Sequence, residues 1–179
     1  MRIAVSGAHG TGKSTLIAEL AQSLPNYLTV EEPYYEFLEA GHVFAETPTT
    51  DDLELLIRSS CTSITRTTEA NVLFDRAPLD YWAYLVSARR SHTDFRQSTF
   101  EEIAQAIARL DLIVFVPIEK PDRINVDASE GLRQRRRVDA LLRQVLVDDS
   151  LGLGAPTLEV TGTATERSRQ VLTYVAASR

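Results

Sequence analysis

Cysteine is nearly missing from this chain: Cys61 stands alone among 179 residues. Without a second thiol there is no internal disulfide, and a cysteine-built zinc site is excluded as well. The expected role of Cys61 is that of a small apolar residue in a helix. Lysine is almost as scarce, because Lys13 and Lys120 are the only lysines among nineteen basic residues. A net charge of −6 leaves no broad basic surface, so neither nucleic acid nor an acidic membrane is an expected partner. No apolar run approaches the length needed to span a bilayer. The chain starts with a strand pattern, not with a basic region followed by a long apolar core, so the expected location is cytoplasmic. Repeats, low-complexity tracts and long linkers are also missing, and the length fits a single domain over residues 1–179.

What is present is an alternation of short apolar runs with amphipathic stretches. Strands are expected at Arg2 to Ser6, Leu28 to Glu31, Asn71 to Asp75, Leu112 to Val116 and Thr157 to Val160. Between them, Leu16, Leu20 and Leu24 recur at a spacing of four, and that helix should stop at Pro25-Asn26. Further helices are expected from Pro33 to Ala40, from Asp51 to Glu69, around Leu79 to Val86, from Ser129 to Val147 and from Thr165 to Ala177. Thr99 and Glu102 fit a capping box that would open one more helix, with Ile103, Ile107 and Leu110 inward. The pattern predicts an α/β fold, a three-layer α/β/α domain around a five-stranded parallel sheet. Ligands of such sheets sit beyond the carboxyl ends of the strands. Glu31, Glu32, Asp75 and Arg76 should therefore line one crevice.

Residues 7 to 14 read G-A-H-G-T-G-K-S and satisfy G-x-x-x-x-G-K-[ST] at every position. An apolar strand precedes the motif and an amphipathic helix follows it, which is the context a phosphate-cradling loop requires. Gly7, Gly10 and Gly12 let the backbone turn its N–H groups inward around phosphates. Thr11 and Thr15 belong to the same cradle, and the first turn of the helix adds its positive dipole end. Lys13 can reach the β- and γ-phosphates, and the Ser14 hydroxyl can ligate Mg²⁺. His9 occupies a variable position of this ATP-binding stretch and is expected to face solvent.

Three features separate the users of such a loop. Asp75 closes the N-V-L-F-D strand, where a carboxylate can hold Mg²⁺ directly or through water. Arg76 follows it, where AAA-type hydrolases usually carry a glutamate that activates water. An arginine cannot accept a proton near neutral pH but can stabilise charge on a transferring phosphoryl group. The guanine-reading element N/T-K-x-D is missing its first residue in Glu119-Lys120-Pro121-Asp122, which argues against a GTPase. Arg133, Arg135, Arg136 and Arg137 form a cluster in which Arg133, Arg136 and Arg137 share a helical face. After the polar stretch from Glu119 to Ala128, this is the arrangement expected of a lid over residues 119–137, with Arg133 and Arg137 as candidate catalytic cations.

Taken together, G-A-H-G-T-G-K-S, then E-E-P after the second strand, D-R after the third and an arginine-rich helix resemble the P-loop kinases of nucleosides and nucleotides. Within that group the chain is most similar to AAA-type ATP-binding domains related to the nicotinamide riboside kinase part of a bifunctional NAD-biosynthesis regulator. Deoxyribonucleoside kinases usually carry E-R-S where this chain has Asp75-Arg76-Ala77. The resemblance implies that Glu32 is the general base. A hydroxyl that attacks phosphorus must lose its proton, so a carboxylate within hydrogen-bond reach is useful. A nucleoside monophosphate acceptor would instead call for cations such as Arg58 and Arg66. Tyr34, Tyr35 and Phe37 could stack on an acceptor ring, but core packing is the expected role of such a cluster.

The expected activity is transfer of the γ-phosphoryl of ATP, with Mg²⁺, to a hydroxyl of a nucleoside-like small molecule. Lys13, Glu32, Asp75, Arg76, Arg133 and Arg137 are the candidate catalytic residues, and Ser14 and Asp75 the candidate metal ligands. The alternative is a nucleotide-dependent regulatory ATPase or switch without an acceptor. A homodimer is left open.

Overall fold

The computed structural model describes residues 1–45, 47–88, 97–122 and 131–178. Five parallel strands form one sheet in the order β2-β3-β1-β4-β5: β1 (Arg2–Ser6), β2 (Leu28–Val30), β3 (Val72–Asp75), β4 (Leu112–Phe115) and β5 (Thr157–Glu159). The pairing register sets Val5 beside Asp75 and Ser6 beside Phe115. Alternation along the strands divides the core in two. Ile3, Val5, Leu73, Leu112 and Val114 face one layer of helices, formed by α1 (Lys13–Ser23) and α7 (Ala164–Ala177). Ala4, Val72, Phe74, Ile113 and Phe115 face the other, built from α3 (Thr50–Arg66), α4 (Pro78–Ala88), α5 (Gln97–Ile107) and α6 (Leu132–Leu146). The short α2 (Pro33–Glu39) packs on α3. The expected three-layer α/β/α domain with a five-stranded parallel sheet is thus the observed one.

Most elements follow from local chemistry. α3 opens with a capping box in which Thr49 accepts from the Asp52 amide while the Asp52 carboxylate accepts from the Thr49 amide. Thr163 and Glu166 cap α7 in the same way. The capping box expected at Thr99 is not formed. Thr99 lies inside α5 and is only 2% exposed, so its hydroxyl is buried within the helix and is not at its N-terminus. Cys61 is buried in α3, where burial and then Glu102 push its thiol up to about 12, leaving it unreactive. Most of the polar stretch from Glu119 to Ala128 lies outside the described residues, as does the start of the helix expected from Ser129. Among the described residues, no helix is long and apolar enough to cross a membrane.

Because the sheet is parallel, β1, β2 and β3 release the chain on the same edge. The glycine loop follows β1, Glu31-Glu32 follows β2, and Asp75-Arg76 closes β3. Three segments far apart in sequence thereby meet at one crevice.

Candidate active site

The loop between β1 and α1 needs glycine at two points for different reasons. At Gly7 (φ +155°) a Cβ would lie 2.5 Å from the Val116 carbonyl oxygen, so no side chain fits beside β4. Gly12 (φ 90°) is the left-handed residue that caps α1 and turns the chain into the helix. Lys13 is buried at the start of α1, with its Nζ donating to the Ala8 carbonyl at 2.8 Å. Burial, and secondly the Arg76 charge, draw the Lys13 ammonium down to about 7. Ser14 and Thr15 are exposed on the first turn of the helix. His9 differs from its expected solvent-facing role. Its amide donates to the Tyr84 hydroxyl at 2.9 Å, and its Nδ1 lies at the same distance from that hydroxyl.

Arg76 sits in the left-handed region (φ 74°), a conformation that is costly for a residue with a Cβ. The turn sends its side chain back across the crevice. There Nε donates to Glu32 Oε1 at 2.6 Å, while Nη1 donates to the Gly7 carbonyl at 3.3 Å and to Asp80 Oδ2 at 3.4 Å. Glu32 precedes α2 as its N-terminal flanking residue, and its Oε1 also accepts from the Tyr81 hydroxyl at 3.1 Å. Glu31 is exposed, so of the two adjacent carboxylates Glu32 is the one that enters the crevice.

Asp75 is the second carboxylate of the site. Burial first, and then the Glu32 charge, hold its carboxyl above the usual carboxylate range. Its Oδ1 is buried without a hydrogen-bond partner among the described residues. A buried carboxylate oxygen lacking a donor suits a divalent cation. Asp75 and the Ser14 hydroxyl are the residues present that would hold Mg²⁺ between protein and phosphates.

Three further charged residues are drawn into the site, of which only Arg135 is among those expected near it, as one member of the arginine cluster. Asp80 on α4 is fully buried and accepts from the Ser6 hydroxyl and from the Gly7 amide at 3.3 Å. Burial pushes its carboxyl up, against the pull of Arg76 and Lys13. Arg135 on α6 is 2% exposed and donates through Nε to the His9 carbonyl at 2.8 Å and through Nη2 to the Gly10 carbonyl at 3.0 Å. Arg167 on α7 is 6% exposed and donates to the Thr11 carbonyl at 2.6 Å. The signal for both arginines was available. Arg135 precedes Val138 by three and Leu142 by seven, and Arg167 precedes Val171 by four, which places each on the buried stripe of its helix.

Arg133 and Arg137 are not brought to the loop. Each is two residues from Arg135, so they occupy the far side of α6, and both are exposed there. Arg58 and Arg66 are exposed on α3. Tyr34 stacks on Phe44 with ring centres 4.5 Å apart, and Phe37 meets Phe44 edge-on. Tyr34 and Phe37 pack against the core as expected, whereas Tyr35 is 54% exposed.

Comparison with known proteins agrees with this architecture. A family model described as an AAA domain matches residues 2–167. No curated protein matches the chain. Among solved structures, deoxyadenosine kinase from M. mycoides, with dCMP and dCDP bound, superposes with a TM-score of 0.68 at 14% identity, covering 99% of this chain and 100% of that one. YorR from Bacillus subtilis, in complex with phosphorylated GDP, gives 0.61 at 16% identity, over 98% of this chain and 96% of that one. NadR in complex with NAD and AMP-PNP gives 0.64 at 23% identity, and the match covers 97% of this chain but 49% of NadR. At these identities the likeness speaks for the fold, while the family match extends over nearly the whole sequence. The chain belongs to the AAA domain family and has the fold of P-loop nucleoside kinases.

Proposed function

We propose that the protein is an ATP- and Mg²⁺-dependent kinase that transfers the γ-phosphoryl group to a hydroxyl of a nucleoside-like small molecule. The observation that carries this reading is the placement of Glu32 in the crevice beside the phosphate loop, tied at 2.6 Å to Arg76, which itself reaches the Gly7 carbonyl. A carboxylate and a guanidinium held together at the edge of a triphosphate site suit transfer to an acceptor. Hydrolysis would call for a base aimed at water next to Asp75, and that position is Arg76.

In the proposed reaction the loop amides of residues 10–14 and Lys13 bind the triphosphate. Mg²⁺, held by Asp75 and Ser14, would neutralise charge on the phosphate oxygens. Glu32 accepts the proton of the acceptor hydroxyl as its oxygen bonds to the γ-phosphorus and the bond to the β-phosphate oxygen breaks. Arg76 orients Glu32 and faces the charge that develops. The nucleotide-bound structural neighbours support the nucleotide part of this reading, and the deoxyadenosine kinase fold supports the nucleoside-like acceptor. Arg133 and Arg137, which point away from the loop, are left out of the reaction, and removing both should change kcat little.

The test is a phosphoryl-transfer screen with MgATP against nucleosides, nucleotides and other small hydroxyl compounds, read by mass. A phosphorylated product from one compound class is expected. Formation of ADP with no phosphorylated compound would overturn the proposal.

A further inference from the structure

Six consecutive loop carbonyls, from Gly7 to Gly12, each have a donor. Gly7 receives Arg76, Ala8 receives Lys13 and the Thr11 hydroxyl, His9 and Gly10 share Arg135, Thr11 receives Arg167, and Gly12 accepts from the Leu16 amide inside α1. The peptide unit is planar and trans, so the N–H of each following residue points opposite to the carbonyl before it. Holding the carbonyls of His9, Gly10 and Thr11 outward therefore aims the amides of Gly10, Thr11 and Gly12 inward. Burying a guanidinium is costly unless its donors are met. Here most are met, by the loop on one side and by acids after β4 on the other, with Arg167 Nε alone of them buried without a partner among the described residues. Arg135 Nη1 pairs with Asp122, and Arg167 Nη2 pairs with Glu119 at 2.7 Å. Glu119 also accepts from the Gly162 amide, at 2.7 Å, ahead of α7.

We propose that Arg135 and Arg167 are positioning residues for triphosphate binding: from α6 and α7 they hold the phosphate loop in its anion-binding form from outside. Forked donors matter at Arg135, where one guanidinium serves two successive carbonyls and a carboxylate, an arrangement that an ammonium cannot reproduce. The inference rests on the reading of this loop as a triphosphate site, but does not require the kinase reaction.

The experiment is calorimetric titration of the full chain with Mg·AMP-PNP, without acceptor, for wild type, Arg135→Met, Arg167→Met and the exposed α7 control Arg169→Met. Arg135→Met and Arg167→Met should each weaken binding about tenfold or more, as expected for lost hydrogen bonds to charged donors, while Arg169→Met binds like wild type. Arg135→Lys and Arg167→Lys keep a cation and suit the case in which the methionine variants do not fold. They should show a smaller loss of affinity, with the nucleotide-free Tm close to wild type, a separation that a merely structural role would not give. Wild-type affinity in the Met variants, or in the Lys variants if those alone fold, would overturn the proposal. A wild type that binds Mg·AMP-PNP yet phosphorylates no acceptor would sink the kinase reading and leave this one standing.

Discussion

Glu32 Oε1 accepts two hydrogen bonds, from Arg76 Nε at 2.6 Å and from the Tyr81 hydroxyl at 3.1 Å, so this carboxylate is held by residues 44 and 49 positions further along the chain. Both donors fix its orientation without using its other oxygen. If Glu32 is the base, Glu32→Gln keeps the shape and removes the proton acceptor. The expected outcome is a loss of about 10²–10⁴ in kcat with the Kd for ATP nearly kept. Steady-state kinetics alongside calorimetric binding checks this, and full activity in Glu32→Gln would remove Glu32 from the chemistry.

Lys13 links binding to pH. Its ammonium is drawn down to about 7 in the folded protein, below the ordinary 10.5. Between those values the unfolded chain holds more protons, so this residue makes the nucleotide-free protein more stable as pH rises through that window, and its cost is fully present below it. A bound triphosphate reverses the preference and favours the charged form. At about pH 8, MgATP binding should therefore take up protons, measured as a dependence of the binding heat on buffer ionisation enthalpy. Lys13→Arg, charged throughout, should bind more weakly and show no uptake. Wild-type binding without uptake would contradict the assignment.

Asp75 is expected to trade stability for metal binding. Its folded carboxyl is held above the ordinary value, so the ionised form costs stability at neutral pH, and that cost disappears as pH falls below the ordinary value. Asp75→Asn relieves the cost. The nucleotide-free Tm should rise. Mg²⁺-dependent turnover should fall sharply in the same variant. A lower Tm together with retained Mg²⁺-dependent activity would show that Asp75 is neither strained by burial nor a metal ligand.

The sheet and the loop were legible in the sequence because both depend on local chemistry. The alternation in β1, β3 and β4 splits directly into the two core layers, and the loop announces itself by its own spacing and by the left-handed turn at Gly12, although the contact that demands Gly7 comes from Val116 at the end of β4. Asp80, Arg135 and Arg167 were harder to place, because their partners in the phosphate loop lie 73 to 156 residues away. Four arginines in a row of five invite a charged-face reading, yet helical spacing from Val138 and Leu142 turns one of them inward and the others out. Thr99 failed in the opposite way, as a capping pattern that occurs within a helix that has already begun.

The most direct test of the central claim is the rate of ADP formation from MgATP, measured with and without the acceptor found by the screen, in wild type and in Glu32→Gln. Turnover in wild type should depend on acceptor, be matched mole for mole by phosphorylated product, and be nearly lost in Glu32→Gln. Equal ADP formation with and without acceptor, untouched by Glu32→Gln, would contradict it.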